Sequence, residues 1–328
     1  MLYEELLEKV RSAFPRKSIV ISEETNLRWL TGQTNTFSII LIKPKEQYIF
    51  TTDGFADLFS NLPYQIVSVD TSKKNAFLDA LKKYASKPLI SDRKIKIRSK
   101  LAGRRILELR ERKLPEELKL LARARAITTR AISKASKYIE PGVSEQEIAS
   151  HLEGEMRRLG AERFAFDTIV ASGKRSFYTH ILPSKKNIKY GDVVLIDAGA
   201  TFKGYCADIS RTFCCGENKD FDNFSNQLFR MNEEIISSIK PNIKFFKINE
   251  IYKKHLLKAK LKYLHLIGHG IGIESHEMPD AEGRLSEGVV FTIEPGIYVH
   301  KKFGIRYEDI YTIKEGECIC LQKLQNLL

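Results

Sequence analysis

The 328-residue sequence predicts an α+β protein of two domains, a smaller α/β unit over residues 1–112 and a larger unit over 113–328. Three observations carry this expectation. Residues 1–112 alternate short apolar runs with amphipathic stretches. Leu114-Pro115-Glu116-Glu117 then opens a long helical segment, with proline in its first turn and acids beside the positive end of the helix dipole. Beyond residue 165 the pattern turns strand-rich, with buried-looking runs that end in acids.

Taken in order, Ser18 to Ser22 reads as a short strand. Ser38 to Lys43 and Gln47 to Thr51 form a hairpin around Lys45-Glu46, and Gln65 to Val69 is another strand. Residues 73–85 and 99–111 carry helical spacing. The helix opened at Pro115 must end before Pro141-Gly142. Ser144-Glu145-Gln146-Glu147 is an S-x-x-E capping box that starts the next helix, which Gly160 closes. Further helices fall near 221–239 and 247–259.

Composition narrows the function class. The net charge is +13, of which residues 1–115 hold +9, with 22 Lys+Arg against 13 Asp+Glu. These charges alternate with apolar residues at helical or strand spacing and read as solvated faces; no recognition helix or aromatic nucleic-acid platform accompanies them. No nucleic-acid or membrane partner is expected, since no apolar run approaches the roughly 20 residues that span a bilayer. The five cysteines, Cys206, Cys214, Cys215, Cys318 and Cys320, form neither a CxxC pair nor an even framework. Together with the acidic start Glu4-Glu5, they point to a cytoplasmic protein.

The chemistry concentrates after residue 165. Val193-Val194-Leu195-Ile196 ends in Asp197, and Asp208 follows the turn bracketed by Gly199 and Gly204, which places the two acids across a hairpin. Phe291-Thr292-Ile293 ends in Glu294. In Gly304-Ile305-Arg306-Tyr307-Glu308 the period of two puts Arg306 and Glu308 on one face. His265, His269 and His276 sit in a segment whose glycines argue against a helix and allow close backbone approach. Carboxylates gathered in a core repel one another and lose hydration, so they require a cation or a proton between them. Four carboxylates and an imidazole nearly neutralise two divalent cations, and so oxygen-rich a set suits Mn²⁺, Co²⁺ or Fe²⁺, with Zn²⁺ also admissible.

These segments resemble the pita-bread metallopeptidases, specifically the Xaa-Pro branch of aminopeptidase P and prolidase. The resemblance covers nearly the whole chain. It rests on Phe166 to Gly173, Leu195-Ile196-Asp197-Ala198-Gly199, Asp208-Ile209-Ser210-Arg211-Thr212, Gly268-His269-Gly270-Ile271-Gly272, Glu294-Pro295-Gly296-Ile297-Tyr298 and Ile305-Arg306-Tyr307-Glu308-Asp309, with Asn26 to Gly32 matching the smaller domain. The resemblance implies a pita-bread (creatinase/aminopeptidase-like) C-terminal domain behind a creatinase-like N-terminal α/β domain. It implies five metal ligands, Asp197, Asp208, His269, Glu294 and Glu308, holding two divalent cations, with Asp208 and Glu308 bridging. It implies His180, His265 and His276 as active-site histidines, Arg306 as the arginine behind the ligands, and a homodimer.

The activity so implied is removal of the N-terminal residue from peptides with proline in second position. Two alternatives stand beside it: a prolidase acting on Xaa-Pro dipeptides, and a metal-free binding relative. Methionine aminopeptidase shares the fold and ligand types, but the 112-residue N-terminal unit and Arg306 before Tyr307-Glu308 speak against it. Ser210 stands where threonine is usual, Ile181 and Asn242 where glycine is common, and Gly54-Phe55 where an Arg-Tyr pair is often seen.

Overall fold

In the first unit, Met1–Arg110, sequence spacing sets the layers. Residues 2–323 are described by the computed structural model. Helix α1 (Leu2–Ala13) buries Leu6, Leu7 and Val10, one apolar stripe of an otherwise charged helix. Strand β1 (Ser18–Ile21) leads to α2 (Glu24–Thr31), which ends where Gly32, at φ +71, turns the chain and donates its N–H to Arg28 O. The hairpin follows as β2 (Ile39–Ile42) and β3 (Gln47–Thr51), paired from Ile39–Phe50 to Ile42–Gln47.

Helix α3 (Asp53–Ala56), β4 (Gln65–Ser68), α4 (Ala76–Tyr84), β5 (Leu89–Ser91), β6 (Lys100–Leu101) and α5 (Gly103–Glu111) complete this stretch. The strands form one sheet in the order β4-β3-β2-β1-β5-β6. Strand β1, antiparallel to β2 and parallel to β5, is central. That is why Ile19, Val20 and Ile21 are apolar without alternation, each at most 1% exposed. The helical spacing read over 99–111 is realised only from Gly103; Lys100 and Leu101 extend the sheet instead.

The second unit, Glu111–Leu328, opens with α6 (Pro115–Ala135), where Leu114 N donates to Glu117 Oε2 at 2.7 Å. Helix α7 (Glu145–Arg158) begins at the Ser144 box: Glu147 N donates to Ser144 Oγ at 3.2 Å and Ser144 N to Glu147 Oε2 at 2.8 Å. Next come β7 (Arg163–Phe164), β8 (Ile169–Ser172), β9 (Val193–Ala198), β10 (Ala200–Phe202), β11 (Tyr205–Cys206) and β12 (Ile209–Cys214). Helices α8 (Lys219–Ser238) and α9 (Phe245–Lys258) precede β13 (Val290–Ile293), β14 (Gly296–Val299), β15 (Phe303–Arg306), β16 (Asp309–Lys314) and β17 (Glu317–Cys320). Leu228, Ile235, Ile248 and Tyr252 of the two helices share one core with Phe291, Ile293, Ile297 and Ile305 of the strands. No described helix is long and apolar enough to cross a membrane.

One local expectation needs correction. Asp197 does not pair with Asp208. In the β9–β12 ladder Asp197 lies opposite Ser210, and Asp208 precedes the strand by one residue. The intervening chain forms its own small hairpin, Thr201 opposite Cys206, which absorbs the turn residues. Asp208 still shares a face with Ser210, two residues on, so it reaches the same side of the sheet diagonally.

Candidate metal centre

Three strand termini bring the acids together. Asp197 lies near the end of β9, Glu294 directly follows β13, and Glu308 lies between β15 and β16. Strands β12 and β15 are joined through Thr212, whose Oγ1 donates to Arg306 O at 3.0 Å and accepts from Arg306 N at 3.0 Å. Glu308 N donates to Ser210 O at 3.1 Å. These links carry Arg306 and Glu308 onto the face that holds Asp197 and Asp208.

His269 arrives by a different device. Residues 267–270 run extended beside β13: Thr292 N donates to His269 O at 2.8 Å and Glu294 N to Ile267 O at 2.8 Å. Gly268 makes this approach feasible, since a Cβ there would stand 2.1 Å from Thr292 O. His269 Nδ1, against Gly270 O at 3.1 Å, donates to that carbonyl, so Nε2 presents a lone pair towards Asp208 Oδ2 at 3.5 Å and Glu294 Oε1 at 3.7 Å. A lone pair facing two carboxylates is repulsive unless a cation lies between them.

The electrostatics point the same way. Asp208 and Glu308 are 4% and 2% exposed. Burial, then the charge of Asp197, pushes Glu308 up to about 8, against the pull of Arg306. Burial and neighbouring Glu308 hold Asp208 and Glu294 well above the usual carboxylate range. Burial, with His276 alongside, lowers His269 to about 3, which keeps the imidazole neutral. Asp197 Oδ1 is buried and, among the described residues, has no hydrogen-bond partner. One oxygen each of Asp208 and Glu308 and a ring nitrogen of His269 lie within 4.8 Å of one another. An orphaned carboxylate oxygen, repelling acids and a neutral imidazole are a donor set that fits divalent cations.

Behind the acids runs a hydrogen-bonded chain. Arg306, 2% exposed, pairs through Nη2 with Asp197 Oδ2 and donates Nε to Ser210 Oγ at 2.8 Å. Ser210 Oγ in turn donates to Glu308 Oε2 at 2.8 Å. Arg306 Nη1 also donates to Tyr298 Oη at 3.1 Å, and Tyr298 Oη lies 2.8 Å from His265 Nε2. Since His265 Nδ1 donates to Leu266 O at 2.7 Å, Tyr298 is the donor to Nε2. Burial and the charge of Arg306 lower His265 to about 4, so it too is neutral.

Eight of the nine residues singled out from the sequence line one cavity of about 410 Å³: Asp197, Asp208, His269, Glu294, Glu308, Arg306, His180 and His276. His265 does not line it but stands beside it, with Nδ1 3.6 Å from Glu294 Oε2 and Nε2 bonded to Tyr298. His180 is exposed at the cavity, and His276 stacks on His269 with ring centroids 3.7 Å apart. Sequence reasoning gave no role to Tyr298, nor to Ser210 beyond its hydroxyl. Period-two alternation from Arg306 and the match of Ser210 to Asp197 across the ladder are the signals that mark them. Phe166, Ile169, Ile181 and Leu182 form the cavity's apolar side.

The family model described as Metallopeptidase family M24 matches residues 119–315. The chain belongs to this family, and its second unit has the pita-bread fold. It is 36% identical over 230 residues to a Xaa-Pro dipeptidase of Pyrococcus furiosus, an alignment that takes in 68% of this chain and 66% of that one. Among solved structures, a Xaa-Pro dipeptidase from Bacillus anthracis superposes with a TM-score of 0.88 at 29% identity, over 98% of both chains. An X-Pro aminopeptidase from Thermotoga maritima does so at 0.87 and 29%, over 97% of this chain and 96% of that one.

Proposed function

We propose that the protein hydrolyses the peptide bond preceding a proline in second position, releasing the N-terminal residue. The observation that carries this is the convergence of four buried or half-buried acids and the neutral His269 on one cavity, one wall of which is apolar. Asp197, Asp208, His269, Glu294 and Glu308 would hold two divalent cations, Mn²⁺ being the first choice for oxygen ligands. When bound, the cations lower the pKa of a water and polarise the scissile carbonyl.

The chain's own groups do the remainder. Glu294 or Glu308 takes the water's proton and returns it to the ring nitrogen of the departing proline, which leaves as a secondary amine. His276 directs an N–H at the carbonyl oxygen as negative charge develops there. The chain from Arg306 through Tyr298 to His265 fixes Asp197 and closes the rear of the site. Phe166, Ile169, Ile181 and Leu182 offer the pyrrolidine ring an apolar surface.

The names of similar proteins include both dipeptidases and aminopeptidases. A strict dipeptidase needs a cation dedicated to the carboxylate after proline. Arg306 is committed to Asp197, Ser210 and Tyr298, which supports the aminopeptidase reading. The test is kcat/KM for Ala-Pro against Ala-Pro-Ala at equal Mn²⁺ loading. A tenfold preference for the dipeptide, about 1.4 kcal/mol in the transition state, reverses the choice. Failure to cleave either peptide overturns the proposal. The five free thiols support a reducing, cytoplasmic setting. A homodimer, which the resemblance implies, is part of this proposal, and the molar mass from light scattering tests it.

A further inference from the structure

We propose that the buried ion pair of Lys113 and Glu277 is a positioning device that sets the His276 ring over the scissile carbonyl; this rests on the peptidase reading above. Lys113 Nζ lies 2.6 Å from Glu277 Oε1, with the two side chains only 1% and 3% exposed. Such a pair is costly to bury and gives little net stability against apolar replacements, so its presence calls for another reason.

The reason lies in what Glu277 ends. Residues 270–277 form a loop closed at its base, where Glu277 N donates to Gly270 O at 2.9 Å. His269 immediately precedes this base and His276 immediately precedes Glu277, so the base brings the two rings into their stack. Inside the loop, Cys206 N donates to Gly272 O at 2.7 Å and Gly272 N to Glu274 O at 3.0 Å. A Cβ on Gly272 would stand 2.0 Å from Glu277 Oε1 and 2.9 Å from Lys113 Cε. The loop is therefore shaped around the ion pair, and glycine at 272 leaves the room it occupies.

Lys113 is itself fixed. Its N–H donates to Gly288 O at 2.8 Å, Arg112 bridges to Val289, and Nζ also donates to Glu111 O at 3.3 Å. The ammonium thus holds the Glu277 carboxylate from a rigid point. His276 is exposed; it meets Ser275 Oγ at 3.4 Å and stacks on the His269 ring, and takes its place from the residue after it.

The test separates position from stability. Removing one partner leaves a buried charge, so Lys113→Met alone is expected to destabilise the fold. The double variant Lys113→Met with Glu277→Met removes the charges together. It should keep the wild-type melting temperature within a few degrees and the wild-type Mn²⁺ uptake, while kcat falls at least tenfold and KM stays within about threefold. Its crystal structure should show the His276 ring off the His269 stack. Lys113→Arg, which preserves the charge, should return kcat to within threefold of wild type. A retained ring stack in the double variant, an unchanged kcat, or an Arg variant as slow as the Met pair overturns the inference. Wild-type protein that leaves Ala-Pro-Ala uncut defeats the functional reading instead, and the ring position still decides this one.

Discussion

Asp197 and Ser210 face each other across the β9–β12 ladder, and the guanidinium of Arg306 touches both. One cation thus ties two strands at the point where an acid must be held against its like-charged neighbours. Ser210 passes the constraint on by donating to Glu308. Ser210→Ala should leave Glu308 without this donor and lower metal affinity about 10-fold or more. Ser210→Thr, which keeps the hydroxyl, should stay near wild type. Isothermal titration of the chelated protein with Mn²⁺ reads the difference; equal affinities for Ala and Thr would contradict it.

Asp208 is 4% exposed beside Glu308 and His269. Asp208→Asn removes a charge from the middle of the donor set, and kcat on Ala-Pro-Ala should fall at least about 100-fold. Chelation should abolish activity, and Mn²⁺ or Co²⁺ should restore it. A chelated enzyme at full rate would exclude a cation-dependent reaction.

Burial, then the charge of Asp197, raises Glu308 from 4.5 to about 8. A raised carboxyl stabilises the fold fully below its unfolded value, and that contribution is lost as pH rises through about 8. Cations need the ionised form, so they gain affinity over the same window. The melting-temperature gap between Mn²⁺-loaded and chelated protein should therefore widen from pH 5 to pH 8. A gap that narrows would count against the donor set.

Glu145, fully buried at the start of α7, accepts from Ser172 N at 2.8 Å, Arg175 Nε at 2.9 Å and Ser184 N at 3.0 Å. These bonds pin both ends of the segment that carries His180 and Ile181. Glu145→Ala should cost about 3 kcal/mol by stranding several donors. It should also raise KM more than it lowers kcat, because the loosened segment lines the cavity without supplying any of the proposed cation ligands. Denaturant melts and steady-state kinetics check the two parts separately.

The legible parts of the sequence were those where one residue broke a strong local pattern. Asp197 and Glu294 stood out because an acid at the end of an apolar strand runs against burial, and the Ser144 box because its spacing is a physical cap. Tyr298 and Ser210 were not legible in this way: an aromatic and a hydroxyl are ordinary strand residues, and only the register shows what they touch. Glu145 was visible as a helix start, while its hydrogen bonds to residues 27 and 39 positions away were not. Helices α1 and α2 carry weaker signals, α2 having only eight residues and no side-chain cap. The β10–β11 hairpin was missed because two- and three-residue strands carry no periodicity.

Glu308 and its successor Asp309 are adjacent carboxylates with opposite surroundings. Burial alone would raise Asp309, yet Arg125, bidentate at the Asp309 oxygens, and Arg211 hold it below the usual carboxylate range. Glu308 lies in the two-residue link before β16 and lines the acid-lined cavity, whereas Asp309, the first residue of β16, meets guanidinium groups. A single inserted or deleted residue between Arg306 and Asp309 would exchange these destinations, turning Glu308 towards the arginines and emptying its position. The segment should tolerate no change of length, which makes it the place where an indel scan of this chain would find its sharpest intolerance.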